Sequence, residues 1–425
     1  MHAPANGLVD LACDLASVRE AQARWSETPI RNRLRFVRNL RHAMAENAEA
    51  LAAIGNRPIA EKLMSEVLPL IEACRWLTRQ AQHVLATQKF GGRLRPLWLH
   101  GASFEVRRKA LGIVLVIGPG NYPLFLPAVQ SLHALVAGNA VLLKPAPGTR
   151  AIALRFADLA RTAGLDSALL TILPEETDAS YDAIDRGVDK VIFTGSSANG
   201  RKVLAALAQT NTPAITELSG EDAVIVLADA DVDLVVNALR FGFRLNDGAT
   251  CIASRRLVLE ESIASRLLSR LSTEERARLE IHRAGDRESV VRLANANAHG
   301  LGASIFSRDI PAARAIATRL RTGFVTINDL IVPTADPRMP FGGIKASGFG
   351  TTRGAEGLLE MTHPHVIALR CGRRRPHFEK ARAADAKLFT AFIKATHGHR
   401  GQRAMSLWHL LGAIWARRKD RHLHS

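Results

Sequence analysis

Cysteine is scarce in this chain and scattered. Four stand in 425 residues, Cys13, Cys74, Cys251 and Cys371, and none forms a Cys-x-x-Cys pair. That argues against a disulfide-stapled framework or a zinc ribbon and fits a reducing compartment; no metal site is expected. No stretch approaches the roughly 18 uninterrupted apolar residues of a membrane span. Asp10, Asp14, Arg19 and Glu20 interrupt the start of the chain, where a secretory signal would need an apolar core. No internal repeat or long low-complexity tract stands out. These absences leave a cytoplasmic protein as the expectation.

What is present is an ordinary globular composition, 47% hydrophobic and 23% charged. The length is more than one ordinary core needs and predicts two or three domains. The net charge of +17 is uneven. Gly372 to Ser425 holds 13 Lys and Arg against 3 Asp and Glu, a net of +10. Basicity therefore belongs mostly to a tail and says little about the substrate of the body.

The first third predicts helices. Leu34, Val37, Leu40, Met44, Ala48 and Leu51 recur at spacings of three or four within Arg31 to Ile54. Glu61 to Ala86 reads similarly. From about Phe104 short apolar runs alternate with helical segments such as Thr149 to Ala163 and Ala198 to Ala208. The runs are Ile113–Ile117, Val141–Leu143, Leu170–Leu173 and Val191–Phe193. Such alternation predicts an α/β fold with a parallel sheet covered on both faces. A second set, Ala223–Leu227, Arg256–Leu259, Ala303–Phe306 and Phe324–Ile327, predicts a second α/β domain.

Several loops after these strands carry chemistry-bearing residues. Gly118-Pro-Gly-Asn-Tyr-Pro123 follows Ile117, and Asn121 there can donate an amide N–H to a developing oxyanion; by itself the run also reads as a plain turn. Lys144 ends an apolar run and is either a nucleotide contact or a solvated strand end. Gly195 and Ser196 precede a helix whose free N–H groups suit a phosphate, although Ser-Ser-Ala-Asn also makes an ordinary cap. Arg201-Lys-Val203 stands where a Walker loop needs Lys-Ser/Thr. Glu217 ends a short strand, and Cys251 lies in a small polar loop. A free thiol is only about 3% thiolate at neutral pH, so Cys251 needs activation to act as a nucleophile.

Taken together, these residues resemble the aldehyde dehydrogenase superfamily. Asn-Tyr-Pro, Phe-Thr-Gly-Ser, Glu-Leu-x-Gly, a cysteine 34 residues after the glutamate, and Pro340-Phe-Gly-Gly-Ile-Lys-Ala-Ser-Gly348 occur in the family order, between roughly Trp25 and Leu369. The resemblance implies a Rossmann-like cofactor domain, a second α/β catalytic domain and a small oligomerisation element. It divides the chain into 1–218 for the cofactor, with 103–109 a candidate oligomerisation strand, then 219–362 for catalysis, 363–371 as an oligomerisation strand and 372–425 as a basic, His-rich tail. It implies Cys251 as nucleophile, Glu217 as the base of deacylation, and Asn121 with the Cys251 backbone N–H as the oxyanion hole. Ile117, Gly118, Lys144, Gly195, Ser196, Leu218 and Phe341 are the implied cofactor contacts. The implied reaction is NAD- or NADP-dependent oxidation of an aldehyde to a carboxylic acid. The implied assembly is a homodimer or homotetramer.

Three departures from the family pattern bear on function. Gly120 replaces a tryptophan common before the asparagine. Pro147 stands where NAD-preferring members often carry a glutamate, so NADP is expected beside NAD. Only 90 residues separate Cys251 from Phe341, and the Glu-x-Phe-Gly-Pro motif that grips the nicotinamide-side ribose is missing. The segment Glu261 to Gly285 is expected to be a compact, solvated helical link, leaving one wall of the nicotinamide pocket open. The missing motif keeps two alternatives alive: a non-catalytic or weakly active binding protein on the same fold, and a reductase of activated acyl groups. The tail, with Trp408, Leu411 and Trp415 at helical spacing between Arg373-Arg-Arg375 and Arg417-Arg-Lys419, suggests peripheral membrane contact. A solvated, partly disordered tail is the alternative, and no specific nucleic acid is expected.

Overall fold

The computed structural model describes residues 15–372, 375–378 and 380–422. Cys13, Arg373 and Arg374 lie outside the described residues. The described residues up to Lys89, with Phe104–Ile367, make one compact unit; Phe90–Ser103, with those from Ala368 onward, make a second.

Sixteen strands follow one another among the described residues. The first seven are β1 (Gln88–Phe90), β2 (Ala102–Ala110), β3 (Ile113–Ile117), β4 (Ala140–Lys144), β5 (Leu170–Ile172), β6 (Lys190–Thr194) and β7 (Ala214–Glu217). Then come β8 (Asp222–Val226), β9 (Ser254–Glu260), β10 (Glu280–Ala284), β11 (His299–Gly300), β12 (Gly302–Phe306), β13 (Phe324–Ile327), β14 (Ile344–Lys345), β15 (Gly348–Phe349) and β16 (Thr362–Arg370).

The first large sheet has the order β15-β7-β6-β3-β4-β5. Its last five members are parallel, with Ile117 paired to Lys144 on one side and to Phe193 on the other. β3, β4 and β6 are buried along their whole length, which is why their centres read as apolar runs, with Lys144, Lys190 and Thr194 at the strand ends. Strand order reverses between β3 and β6, the place where open α/β sheets collect ligands beyond their strand ends. The second sheet, β10-β9-β8-β12-β13, is wholly parallel. Its two faces carry separate apolar clusters, one including Val224, Leu257 and Phe306 and the other Ile225, Val258 and Ile305.

β15 ties the loop around Phe341 to the first sheet, pairing antiparallel with β7 so that Gly348 faces Glu217. Gly348 has φ +103°, and a Cβ there would fall 2.0 Å from the Thr216 carbonyl oxygen. Only glycine allows that approach. β1, β2 and β16 form a third sheet.

The expected helices are present, as Ile30–Glu46 with Ala48–Ala53, and as Leu68–Val84. A single π turn at Leu63–Val67 precedes the latter. The expected helical link at Glu261–Gly285 is corrected. It contains the helices Glu261–Leu268 and Thr273–Ala277, but it also adds β10 as a fifth strand, parallel to β9. Ile263, Ala264, Leu267 and Leu271 are buried in the core, so the segment is part of the domain and not a solvated linker. The expectation that the central sheet survives the short spacing holds. The tail forms two helices, Ala383–His397 and Arg400–His422, rather than a disordered extension.

Candidate active site

The loop after β3 is held from the N-terminal helices. Buried Glu66, in the π turn, accepts hydrogen bonds from the Leu124 and Phe125 N–H groups at 2.8 and 3.2 Å and is paired with Arg57. These are orphan donors at the start of helix Phe125–Ala137, so the carboxylate caps it. The loop carrying Cys251 is fixed from the same side. Asn246 and Asp247 are left-handed, with φ of 51° each, and the Asn246 N–H donates to Glu61 at 3.1 Å. The Asn246 side-chain amide then donates to the Asn121 and Ala249 carbonyls at 3.0 and 3.1 Å. Asn121 itself donates through Nδ2 to the Ala249 carbonyl at 3.0 Å. Asn121 and the cysteine loop are thus latched together, and an amide N–H remains for a ligand oxygen.

Two cavities meet at Cys251. One is lined by apolar side chains including Met64, Phe125, Leu126, Phe241, Ile331 and Val332. The other is lined by Gly120, Asn121, Gly195, Ser196, Leu218 and Gly220 among others. Cys251, Glu217, Thr250, Leu126 and Phe341 line both. The second cavity opens over the strand-order reversal, beside the N-terminus of helix Ser197–Thr210. Its shape and chemistry fit a dinucleotide: glycine-rich walls for close approach and helix N–H groups for a phosphate. The Ser196 hydroxyl meanwhile caps its own helix, accepting from Asn199 N–H at 3.3 Å.

Burial pushes the Cys251 thiol up to about 12, helped by the Glu217 and Asp222 carboxylates and opposed by Arg353 and by its own backbone N–H. The thiol is therefore protonated at neutral pH in the protein alone. Cys74 is also pushed up to about 12 by burial, yet it is sealed in the core. Access to both cavities, not acidity, separates the two cysteines.

Glu217 is buried at the end of β7. Burial raises its carboxyl, opposed by the Thr352 hydroxyl, which donates to Oε1, and by Arg353. Arg353 is only 4% exposed. Its guanidinium lies 4.4 Å over the Phe341 ring and 5.7 Å over that of Phe125. It donates to the Thr334 carbonyl, and its Nε has no hydrogen-bond partner among the described residues. Thr352, Arg353, Asn246 and Asp222 are site residues that the motifs did not single out. Thr352 and Arg353 follow the Pro340–Gly348 motif closely, but nothing in their types or spacing marks them.

Lys144, buried at the end of β4, is pushed down by burial and held up by Glu175 and Glu176. Glu175 accepts from the Gly148 N–H at 3.0 Å. An acid therefore stands beside Lys144 although Pro147 does not supply it. Glu274, Glu275 and Glu280 line neither cavity. They pair with Arg278, with Arg240, and with Arg256 and His282.

A doubly wound sheet carries a cavity suited to a dinucleotide over its reversal point, and one thiol is shared between that cavity and an apolar pocket. The chain belongs to the aldehyde dehydrogenase family, whose model matches residues 4–279 and 278–367. The two matched stretches meet inside the segment where the chain is short. It is 27% identical to 4,4'-diapolycopene aldehyde oxidase of a Methylomonas species, over 85% of this chain and 82% of that protein. That alignment spans 437 positions, more than this chain contains, so the chain lacks segments its relative has. It is also 27% identical to the NADP/NAD-dependent aldehyde dehydrogenase PuuC of Escherichia coli K12, over 81% and 84% of the two chains. In fold it matches a Mycobacterium tuberculosis aldehyde dehydrogenase solved with NAD+, at a TM-score of 0.76 and 23% identity, covering 85% and 90%.

Proposed function

We propose that this protein oxidises apolar aldehydes to carboxylic acids at Cys251, with Glu217 as the base that releases the acid. As a family member it is an oxidoreductase that uses NAD or NADP. The observation that carries the residue assignment is that, among the described residues, Cys251 and Glu217 alone of the thiols and carboxylates line both the apolar and the glycine-lined cavity. The division of labour follows: 1–218 serves the cofactor, 219–362 the chemistry, and 103–109 with 363–371 an oligomer contact in a homodimer or homotetramer. The protein works in the cytoplasm or peripherally at a membrane.

The bound dinucleotide supplies the hydride acceptor. Lys144 with Glu175 would hold its ribose, and Ile117, Gly118, Gly195, Ser196, Leu218 and Phe341 would shape its bed. Cys251 loses its proton to solvent, and the thiolate adds to the aldehyde carbon as the C=O π bond breaks, forming a thiohemiacetal oxyanion. The Asn121 amide and the Cys251 N–H hold the oxyanion, an effect worth about 3–4 kcal/mol per donor. After hydride loss a thioester remains on Cys251. Glu217 takes a proton from water, the resulting hydroxide attacks the thioester, and the acid and the thiol are released.

Cavity lining supports the substrate class. The walls are mostly apolar side chains, and a relative is named for a diapolycopene aldehyde. Each buried methylene contributes about 0.8 kcal/mol, so kcat/KM should rise roughly fourfold per added carbon until the cavity is full. Following absorbance at 340 nm with NAD or NADP and straight-chain aldehydes tests this. A flat series removes the substrate assignment. Cys251→Ala should abolish turnover, and Glu217→Gln should leave a single burst of reduced cofactor with an acylated Cys251 visible by mass spectrometry. Undiminished turnover by Cys251→Ala removes the residue assignment.

A further inference from the structure

We infer that helix Arg400–His422 docks the protein on an anionic lipid surface, through one exposed apolar face. This deepens the proposed peripheral location and stands apart from the chemistry at Cys251. Leu407, Trp408, Leu411, Ile414 and Trp415 are all exposed, Trp408 at 78% and Trp415 at 66%. At about 100° per residue they fall within an arc of about 120° on the helix. Ser406, 5% exposed, lies outside that arc, as does the half-buried Ala413, and helix Ala383–His397 packs alongside. The arc stays exposed beside the neighbouring helix. In the neighbouring helix Phe389 and Ile393, four residues apart, are exposed at 57% each.

Water is a poor solvent for two tryptophans and three aliphatic side chains arranged side by side. Scattered exposed apolar residues are ordinary, but a contiguous stripe marks a docking surface. Charge selects the occupant. Arg400 and Arg403 stand in the first turn of the helix, and the sequence places Arg417, Arg418, Lys419 and Arg421 in its last turns. Cations at both ends of an apolar, Trp-bearing face suit a helix lying in the headgroup layer, with each cation near an anionic surface worth about 1 kcal/mol. A second copy of this chain is disfavoured, since each copy brings the same +10 from Gly372 onward. Among the described residues no helix is long and apolar enough to cross a membrane. The helix lies on the bilayer and does not span it.

Co-sedimentation of the full chain with vesicles tests the inference, using phosphatidylcholine alone and phosphatidylcholine with phosphatidylserine. The protein should pellet with the anionic vesicles and show a blue-shifted tryptophan emission. The double variant Trp408→Asp with Trp415→Asp should lose affinity by about tenfold or more. Its far-UV circular dichroism and its aldehyde turnover in solution should match the parent, which separates loss of docking from loss of fold or of activity. Equal pelleting of parent and variant overturns the inference, as does no pelleting of either. Salt-sensitive binding that duplex DNA removes equally from both proteins assigns the cations to nucleic acid and overturns it too.

Discussion

The Thr352 hydroxyl donates a hydrogen bond to Oε1 of Glu217, joining the end of β7 to the loop that follows β15. The bond favours the ionised carboxylate against the burial that raises it. Thr352→Val removes the donor and keeps the shape. The Glu217 carboxyl should then rise further, and the acid limb of the kcat–pH profile should move up by about one unit. Thr352→Ser should restore the parental limb. Superimposable profiles for Thr352→Val and the parent exclude Glu217 as the titrating base.

Arg353 is the buried cation of the site: burial pushes its guanidinium down, opposed by the Glu217 carboxylate and, once ionised, by the Cys251 thiolate. It should in turn ease formation of the thiolate. With the thiol pushed up to about 12, alkylation of Cys251 by iodoacetamide should climb about tenfold per pH unit from pH 7 to 10 without a plateau. Arg353→Met should slow it roughly three- to tenfold at fixed pH, with Arg353→Lys in between. Glu217→Gln should speed it, because a neutral amide no longer opposes the thiolate. Slower alkylation in Glu217→Gln means instead that Glu217 also draws the proton from the thiol.

Much of this site was legible in the sequence, and the residues that were not share a reason. Strands such as β3 and β6 announced themselves because both faces are buried and their central positions are all apolar. Cys251, Glu217 and Asn121 stood in motifs with fixed spacing, and all three line one cavity. Thr352 and Arg353 reach Glu217 only because β15 pairs antiparallel with β7, a long-range contact that local spacing does not encode. β10 was missed because Glu280-Ile-His-Arg-Ala284 offers only Ile281 and Ala284 as apolar residues. An edge strand is half solvated and does not need more.

Glu175 was equally hidden, since it follows β5 while Lys144 ends the neighbouring β4. If Lys144 holds the ribose as proposed, an acid beside it would accept a 2′-hydroxyl and repel a 2′-phosphate. Glu175→Ala should therefore move the ratio of kcat/KM for NAD over NADP toward NADP by about tenfold, equivalent to 1.4 kcal/mol. Lys144→Ala should weaken both cofactors. An unchanged ratio in Glu175→Ala leaves Pro147 as the determinant, with NADP used at least as well as NAD from the start.

Asp222, at the start of β8, connects the site to stability. Burial pushes its carboxyl up to about 7, opposed by the Gly302 N–H, which donates to it at 3.0 Å. Its folded value lies above the ordinary 3.8 of an unfolded chain. The stability it contributes is thus fully present below about pH 4 and is lost as the pH rises through about 7. Across that window the loss is roughly 3–5 kcal/mol. Asp222→Asn keeps an oxygen for the Gly302 N–H and cannot ionise. Urea unfolding should show the variant close to the parent at pH 4 and more stable than it at pH 8. The gap should open between those values, where the parent must strip a proton from a buried group. Parallel stability curves across the whole range would mean that Asp222 is solvated in solution, and its pressure on the Cys251 thiol would go with it.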